Sequence, residues 1–314
     1  TYAEALVAFD KASVIGIRTS SGKTFVHPAM TTKILEGDSV IAIAADDDQI
    51  TFTGIEDGFR TVARVRSSSP KQSPEHLLII GWSEMGGTVL NELAPFLPKG
   101  STVSIIANPD LVDKSVMPKK SYGAIKVTFQ SNNGTISELA AVARKKKYDE
   151  IIVLAYREKI KVADADARTM LTMLLLNKLF DEDGNGIDRT RLVAEILDSR
   201  RAELARVANA DDLVVSDNLA ALLAAQLAEN PALAPVFEDL FDADGATLNV
   251  RPLSLYANIG DTVRYLDLVA YARGLEETVI GIRSSSQGVL LNPSKSSTYT
   301  VEEGDGLIVI SELK

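Results

Sequence analysis

Between residues 76 and 218 the chain alternates short, almost wholly apolar runs with longer amphipathic segments. HLLIIGW (76–82), STVSIIANPD (101–110), AIKVTF (124–129), DEIIVLAY (149–156), RLVAEILDS (191–199) and DDLVVSDN (211–218) read as strands. GGTVLNELAPFL (86–97), SELAAVARKKK (137–147) and ADARTMLTMLLLNKLF (165–180) read as the helices between them. Strands that are apolar without alternation are buried on both faces, so the pattern predicts an α/β fold, a Rossmann-like doubly wound parallel sheet. NLAALLAAQLAE (218–229) and PALAPVFEDLFDADG (231–245) then form a helical crossover, and their exposed apolar faces predict association between copies.

The two ends carry a different pattern, and they carry it twice. VIGIRTSSGKTFVHP (14–28) returns as VIGIRSSSQGVLLNP (279–293), and LEGDSVIAIA (35–44) returns as VEEGDGLIVIS (301–311). Residues 1–50 and 265–314 are thus two copies of a small α+β unit: a helical lead-in, a β-branched strand, a serine-rich turn, an apolar strand closed by proline, and a last strand entered through Glu-Gly-Asp. Gly37 and Gly304 permit positive φ before that strand, and Asp38 and Asp305 are placed to cap the turn. One helix on three strands cannot bury both faces of its sheet, so each copy needs a partner.

RVRSSSPKQSPEH (64–76), rich in serine and proline, marks the clearest boundary. The expected organisation is a small lobe over 1–60, a linker over 61–75, a Rossmann-like lobe over 76–217, crossover helices over 218–246 and a second small lobe over 247–314. The amphipathic Tyr2–Phe9 stretch runs straight into a strand, as expected of a piece of a longer polypeptide. No stretch approaches the ~20 apolar residues of a membrane span. Nor does the start have the basic and apolar regions of a signal peptide, so this stretch of chain is expected to be soluble.

Charge and composition narrow the function. With 33 Lys+Arg against 43 Asp+Glu, a net charge of −10, the surface repels polyanions, which argues against nucleic acid as a partner. The absence of cysteine excludes thiol catalysis and zinc–thiolate sites, and the two histidines, His27 and His76, have no metal-ligand spacing.

Candidate chemistry lies at the carboxyl ends of the predicted parallel strands, where open α/β sheets bind ligands. The first strand ends in GWSEMGG (81–87), which fits a dinucleotide fingerprint as Gly81-x-Ser83-x-x-Gly86. The tight-turn and packing glycines are present. Serine replaces the central glycine that lets backbone approach a pyrophosphate, and Trp82 adds bulk at the rim. Asn108, with Asp110 beyond it, stands where a ribose-binding acid is expected. Tyr156 and Arg157 end another strand. These eight residues, Gly81, Trp82, Ser83, Gly86, Asn108, Asp110, Tyr156 and Arg157, are the candidate site for NAD or an adenine nucleotide, set against the plainer reading that the glycines serve only the strand–helix turn. Asp198 and Asp217, from adjacent strand ends, are the candidate Ca²⁺ ligands; helix capping and pairing with Arg200 are the competing roles. DEDGNGID (181–188) places acids like the start of a calcium loop, but Leu192 stands where the bidentate acid is needed, and DADG (242–245) is weaker still.

Several of these segments carry a family resemblance. VAEILDSRRAELARVANADDLVVSDNLAALLAAQLAENPALAPVFEDLFDADGATLNVRPLSLY (193–256), with GW at 81–82 and the terminal VIGIR…NP…DGLIVIS, resembles the regulatory region of the CASTOR/POLLUX ion channels. The EILDSR stretch, the V-x-S-[DN]-x-L junction, FEDLF and RP-x-x-x-Y carry it across about residues 76–314. VIGIR, FVHP and EGDSVIAIA make residues 1–50 resemble the small lobe of that family's first regulatory unit. The resemblance implies RCK units, regulators of K⁺ conductance that follow a membrane pore and assemble as a tetrameric gating ring on its cytoplasmic side, with calcium sensitivity in some members. It implies that pore and first Rossmann lobe lie outside this chain. The rival readings are a soluble TrkA/Ktr-like subunit of a potassium transporter and an NAD-dependent oxidoreductase. No acid–base constellation stands out for the latter, so no enzyme activity is expected.

Overall fold

The computed structural model describes residues 1–54, 73–132, 136–143, 147–182, 190–208, 212–242 and 245–312. The chain divides into two units, Thr1–Pro70 with Ala232–Lys314, and Lys71–Pro231. Most of the expected linker, the core of the DEDGNGID loop (183–188) and the middle of DADG (243–244) lie outside the described residues.

The first segment opens with a capping box, in which Thr1 and Glu4 bracket the short helix α1 (Tyr2–Ala5). Strands β1 (Ser13–Arg18), β2 (Thr24–Val26) and β3 (Ser39–Ile43) follow as an antiparallel sheet ordered β2-β1-β3.

The middle unit runs β4 (His76–Ile80), α2 (Glu84–Leu93), β5 (Thr102–Ala107), β6 (Ser121–Tyr122), β7 (Ile125–Ser131), α3 (Ile136–Ala143), β8 (Glu150–Val153), α4 (Val162–Glu182), β9 (Arg191–Ile196), α5 (Ala202–Val207), β10 (Asp212–Val215) and α6 (Ser216–Glu229). Its sheet is ordered β10-β9-β8-β4-β5-β7-β6. All neighbours are parallel except β6 with β7. This is the predicted doubly wound sheet, with the two-residue β6 as an unanticipated edge. The period of two along β4 explains its unbroken apolar run: Leu78 and Ile80 enter one core with Met173 and Leu176 of α4, while Leu77 and Ile79 enter the other with Leu90 of α2. Among the described residues, no single helix is long and apolar enough to cross a membrane.

The last segment comprises α7 (Ala234–Phe241), β11 (Thr247–Pro252), β12 (Thr262–Arg264), α8 (Tyr265–Arg273), β13 (Thr278–Ser284), β14 (Gly288–Leu291), β15 (Thr298–Thr300) and β16 (Gly306–Ser311). Its sheets are β11-β16-β13-β14 and β12-β15. It repeats the first segment down to backbone irregularities. A bulge between Val14 and Gly16 recurs between Val279 and Gly281. A Cβ on Gly16 would lie 2.4 Å from the Phe25 carbonyl oxygen, and one on Gly281 would lie 2.5 Å from that of Leu290. Asp38 accepts hydrogen bonds from the Ser20 and Leu35 amides, as Asp305 does from those of Ser285 and Glu302. His27 and Asn292, which precede the matched prolines, both hold positive φ, 46° and 47°.

The two copies are each other's partner. Tyr2, Val14 and Ile17 of the first share one buried cluster with Leu268, Val279 and Ile282 of the second. Ile15 and its counterpart Ile280 share another, which Val236 of α7 completes. Polar groups are exchanged as well. The Ser13 hydroxyl donates to Asn292 Oδ1 at 3.0 Å, and the counterpart pair, Thr278 Oγ1 and His27 Nδ1, lies at 2.9 Å. The exchange departs from symmetry at one buried side chain. Lys295, where the first copy has Met30, donates its ammonium to the carbonyls of Phe9 and Ala12. Burial lowers its pKa to about 8, with Asp10 opposing the shift.

Candidate ligand crevice

In the middle unit the chain winds outward from β4 through β5 to β7, then returns to the opposite side of β4 to add β8, β9 and β10. The reversal between β4 and β8 leaves a crevice at the carboxyl ends of the strands, the place where such sheets bind ligands.

Gly81 leaves β4 at φ 84°, and a Cβ there would lie 2.0 Å from the Leu154 carbonyl oxygen. Only glycine fits. Gly86 is needed for a different contact, since its Cβ would fall 2.7 Å from the Trp82 ring. Trp82 is not at the rim as expected. It is fully buried, with its indole N–H donating to the Val116 carbonyl at 2.6 Å, because the turn directs it into the core beneath α2. Ser83 is also buried, and among the described residues its hydroxyl has no hydrogen-bond partner although it stands at the N-cap of α2.

The remaining candidates separate into two groups. Asn108 and Tyr156 meet: the Asn108 amide donates to the Tyr156 hydroxyl at 2.9 Å, which straps the end of β5 to the segment after β8. Burial raises the pKa of that phenol, partly offset by the Asn108 N–H. Together with Gly81, Asn132, Leu154 and Arg168 they bound a cavity of about 60 Å³. That is far below the ~300 Å³ of a small-molecule pocket. Asp110 is exposed and does not line this cavity; its amide instead donates to the Asn108 side chain in a local turn.

Arg157 points its guanidinium elsewhere, to the buried carboxylate of Glu195, with the Ser216 hydroxyl at 3.0 Å. Glu195 also accepts from Ser216 Oγ at 2.8 Å and from the Ala155 amide at 3.0 Å. Among the described residues the polar contacts of this acid run to the segments that follow β8 and β10, and Arg157 is spent on structure. The sequence signal for it is an acid inside the apolar run RLVAEILDS.

The two expected metal ligands are near each other but otherwise engaged. Asp198 faces Arg200 in a bidentate pair and Arg201 at 2.6 Å. The Arg200 hydrogen bonds hold its carboxyl well below the usual carboxylate range. Asp217 accepts the Ser199 amide with both oxygens, at 3.0 and 3.2 Å. Behind them the fully buried Asp166 accepts the amides of Leu197 and Asp198. Among the described residues no group of three or more His, Asp or Glu side chains is arranged to hold a metal ion.

One residue absent from the sequence reading stands at the start of α2, outside the lining of that cavity. Glu158 places Oε1 2.7 Å from the amide nitrogen of Glu84, the first residue of α2. A helix N-terminus favours an anion through its free N–H groups and its dipole, and here the anion is the chain's own carboxylate.

A family model described as Castor and Pollux, part of voltage-gated ion channel, matches residues 1–57. The probable ion channel SYM8 of Pisum sativum is 26% identical over 99% of this chain and 39% of its own length. The probable ion channel POLLUX of Arabidopsis thaliana is 24% identical over 98% of this chain and 42% of its own, and the ion channel CASTOR of Lotus japonicus 25% over 99% and 40%. The chain therefore spans about two fifths of the length of these relatives. Among solved structures, the GsuK RCK domain is 18% identical with a TM-score of 0.38, covering 99% of this chain and 57% of that one. The GsuK channel bound to NAD is 16% identical with a TM-score of 0.40, covering 99% and 47%. Over nearly its whole length, then, this chain is homologous to the CASTOR/POLLUX ion channels, the family whose resemblance its EILDSR, RP-x-x-x-Y and VIGIR motifs carry.

Proposed function

We propose that this chain is a ligand-sensing regulatory module of a CASTOR/POLLUX-like cation channel, in which a nucleotide-type crevice biases the position of duplicated small lobes and, through them, a pore. The observation that carries the proposal is the end-to-end relation to those channels. The strand order supports the crevice as the ligand site, because its switch point lies between β4 and β8. The module works as an oligomeric ring on the cytoplasmic side of the membrane, and the pore belongs to sequence beyond this chain. A ligand shifts such an assembly only by its differential affinity for two arrangements, which asks for binding without turnover.

NAD or an adenine nucleotide is the ligand class that fits Gly81 and the N-terminus of α2. Calcium at Asp198 and Asp217 has to displace Arg200, Arg201 and the Ser199 amide, which makes it the weaker claim. Calorimetric titration of the purified chain with NAD⁺, ATP and Ca²⁺ in turn tests the reading. A saturable heat with a nucleotide and an unchanged nicotinamide absorbance band is expected. Turnover of NAD⁺ with any substrate overturns it.

A further inference from the structure

The crevice is closed by the chain that borders it. Three consecutive residues after β8 are tied to four different elements: Tyr156 to the Asn108 amide beyond β5, Arg157 to Glu195 of β9 and Ser216 of α6, and Glu158 to the first amide of α2. In a sheet ordered β8-β4-β5, the Tyr156–Asn108 bond passes over the end of β4, where Gly81 makes its turn. Glu158 sits where a Rossmann-type fold presents a helix N-terminus to a phosphate. The fully buried Ser83 hydroxyl, which has no hydrogen-bond partner among the described residues, stands at the same helix end. The cavity of about 60 Å³ that Tyr156 and Gly81 help to line is too small for a nucleotide.

We propose that the Tyr156–Glu158 segment is a built-in stand-in for the ligand: Glu158 supplies the anion at α2, Tyr156 bars the crevice, and an anionic ligand of the nucleotide class binds by displacing both. The exchange is itself the conformational signal. Arg157, anchored on Glu195 and Ser216, couples displacement of the segment to the ends of β9 and α6, so binding on one side of the switch point is felt on the other. The two displaced contacts differ in kind. Glu158 is exposed, so its hold on α2 is modest and readily exchanged, whereas Tyr156 is half-buried and packs against the core of the α2 side. The inference rests on the nucleotide reading of the crevice for its ligand, but the self-contact has its own readout.

Glu158→Gln and Tyr156→Phe, each made in the whole chain, test it. The first removes the charge and keeps the shape; the second removes the strap hydroxyl and keeps the ring. With ADP as the calorimetric probe, Glu158→Gln is expected to bind about three- to tenfold more tightly than the unmodified chain, as removal of a screened helix-end charge predicts. Inorganic pyrophosphate should follow the same order. The ¹⁵N-amide resonance of Glu84 should shift on the substitution and also on ADP addition to the unmodified chain. Equal or weaker ADP binding by Glu158→Gln overturns the stand-in and leaves the nucleotide reading intact. Absence of ADP binding by the chain and by both variants overturns both. A Glu84 amide that ignores the Glu158 substitution overturns the self-contact whatever the nucleotide does.

Discussion

Thr278 Oγ1 lies 2.9 Å from His27 Nδ1 and 2.8 Å from the Tyr2 hydroxyl, so one side chain of the second repeat satisfies two buried polar groups of the first. Desolvation lowers the pKa of His27 and raises that of Tyr2, so both stay neutral near pH 7 and depend on that hydroxyl. Thr278→Val keeps the shape and leaves both groups without this partner. It is expected to lower stability by about 1–3 kcal/mol, read from the urea midpoint at constant slope. Ser13→Ala, which breaks the mirrored bond to Asn292, removes one donor and costs about 1 kcal/mol.

Lys295 makes the same interface sensitive to alkali. Its folded pKa, about 8, lies below its ordinary value of 10.5, so the unfolded chain binds more protons between these limits. Stability from this group therefore rises as pH increases from about 8 to about 10.5, and the penalty is fully present below that window. Relative to Lys295→Met, the residue type of the first copy, the unmodified chain should gain up to roughly 3 kcal/mol across it. Paired denaturant titrations at the two ends of the window check this, and a constant difference between the proteins refutes it.

Gly81→Ala places a Cβ within 2.0 Å of the Leu154 oxygen at a positive φ. The expected cost is about 2–5 kcal/mol, from left-handed strain together with overpacking. Circular dichroism melting reads it. Loss of ligand binding in this variant reports the fold rather than a ligand contact, which makes Glu158→Gln the cleaner probe of the crevice.

Arg157→Ala leaves the buried Glu195 carboxylate without its counter-charge. About 1–3 kcal/mol of destabilisation is expected, less than for a fully buried pair because the arginine is partly exposed. Adding Glu195→Gln should recover part of it, since the uncompensated charge goes too. A double-mutant cycle measures that coupling, and additive costs would show that the pair is not coupled.

The parallel sheet was legible because strands buried on both faces leave unbroken apolar runs, and HLLIIGW and DEIIVLAY map directly onto β4 and β8. The two-residue β6 was not, because so short an edge leaves no periodicity to read. At Gly81 and Gly86 the structure shows the backbone need for glycine, which is the plainer of the two readings their spacing allows. Trp82 was misplaced, since its own i+4 glycine accepts the ring and nothing in linear order says which way the turn faces.

By itself the sequence dictated the elements, the duplication and the relation to CASTOR/POLLUX channels, because periodicity, turn residues and repeated words are local properties of a chain. Tertiary structure alone decided how charges are spent. Arg157 is committed to Glu195, Asp198 to Arg200 and Arg201, and Glu158 to the start of α2, through contacts between strand ends and loops that only folding brings together. It also made the two end repeats, more than 250 residues apart at Thr278 and His27, each other's core. The physical reason is that hydrophobic pattern specifies which face is buried, while the partner of a polar group is set by geometry, where one ångström separates a hydrogen bond from none.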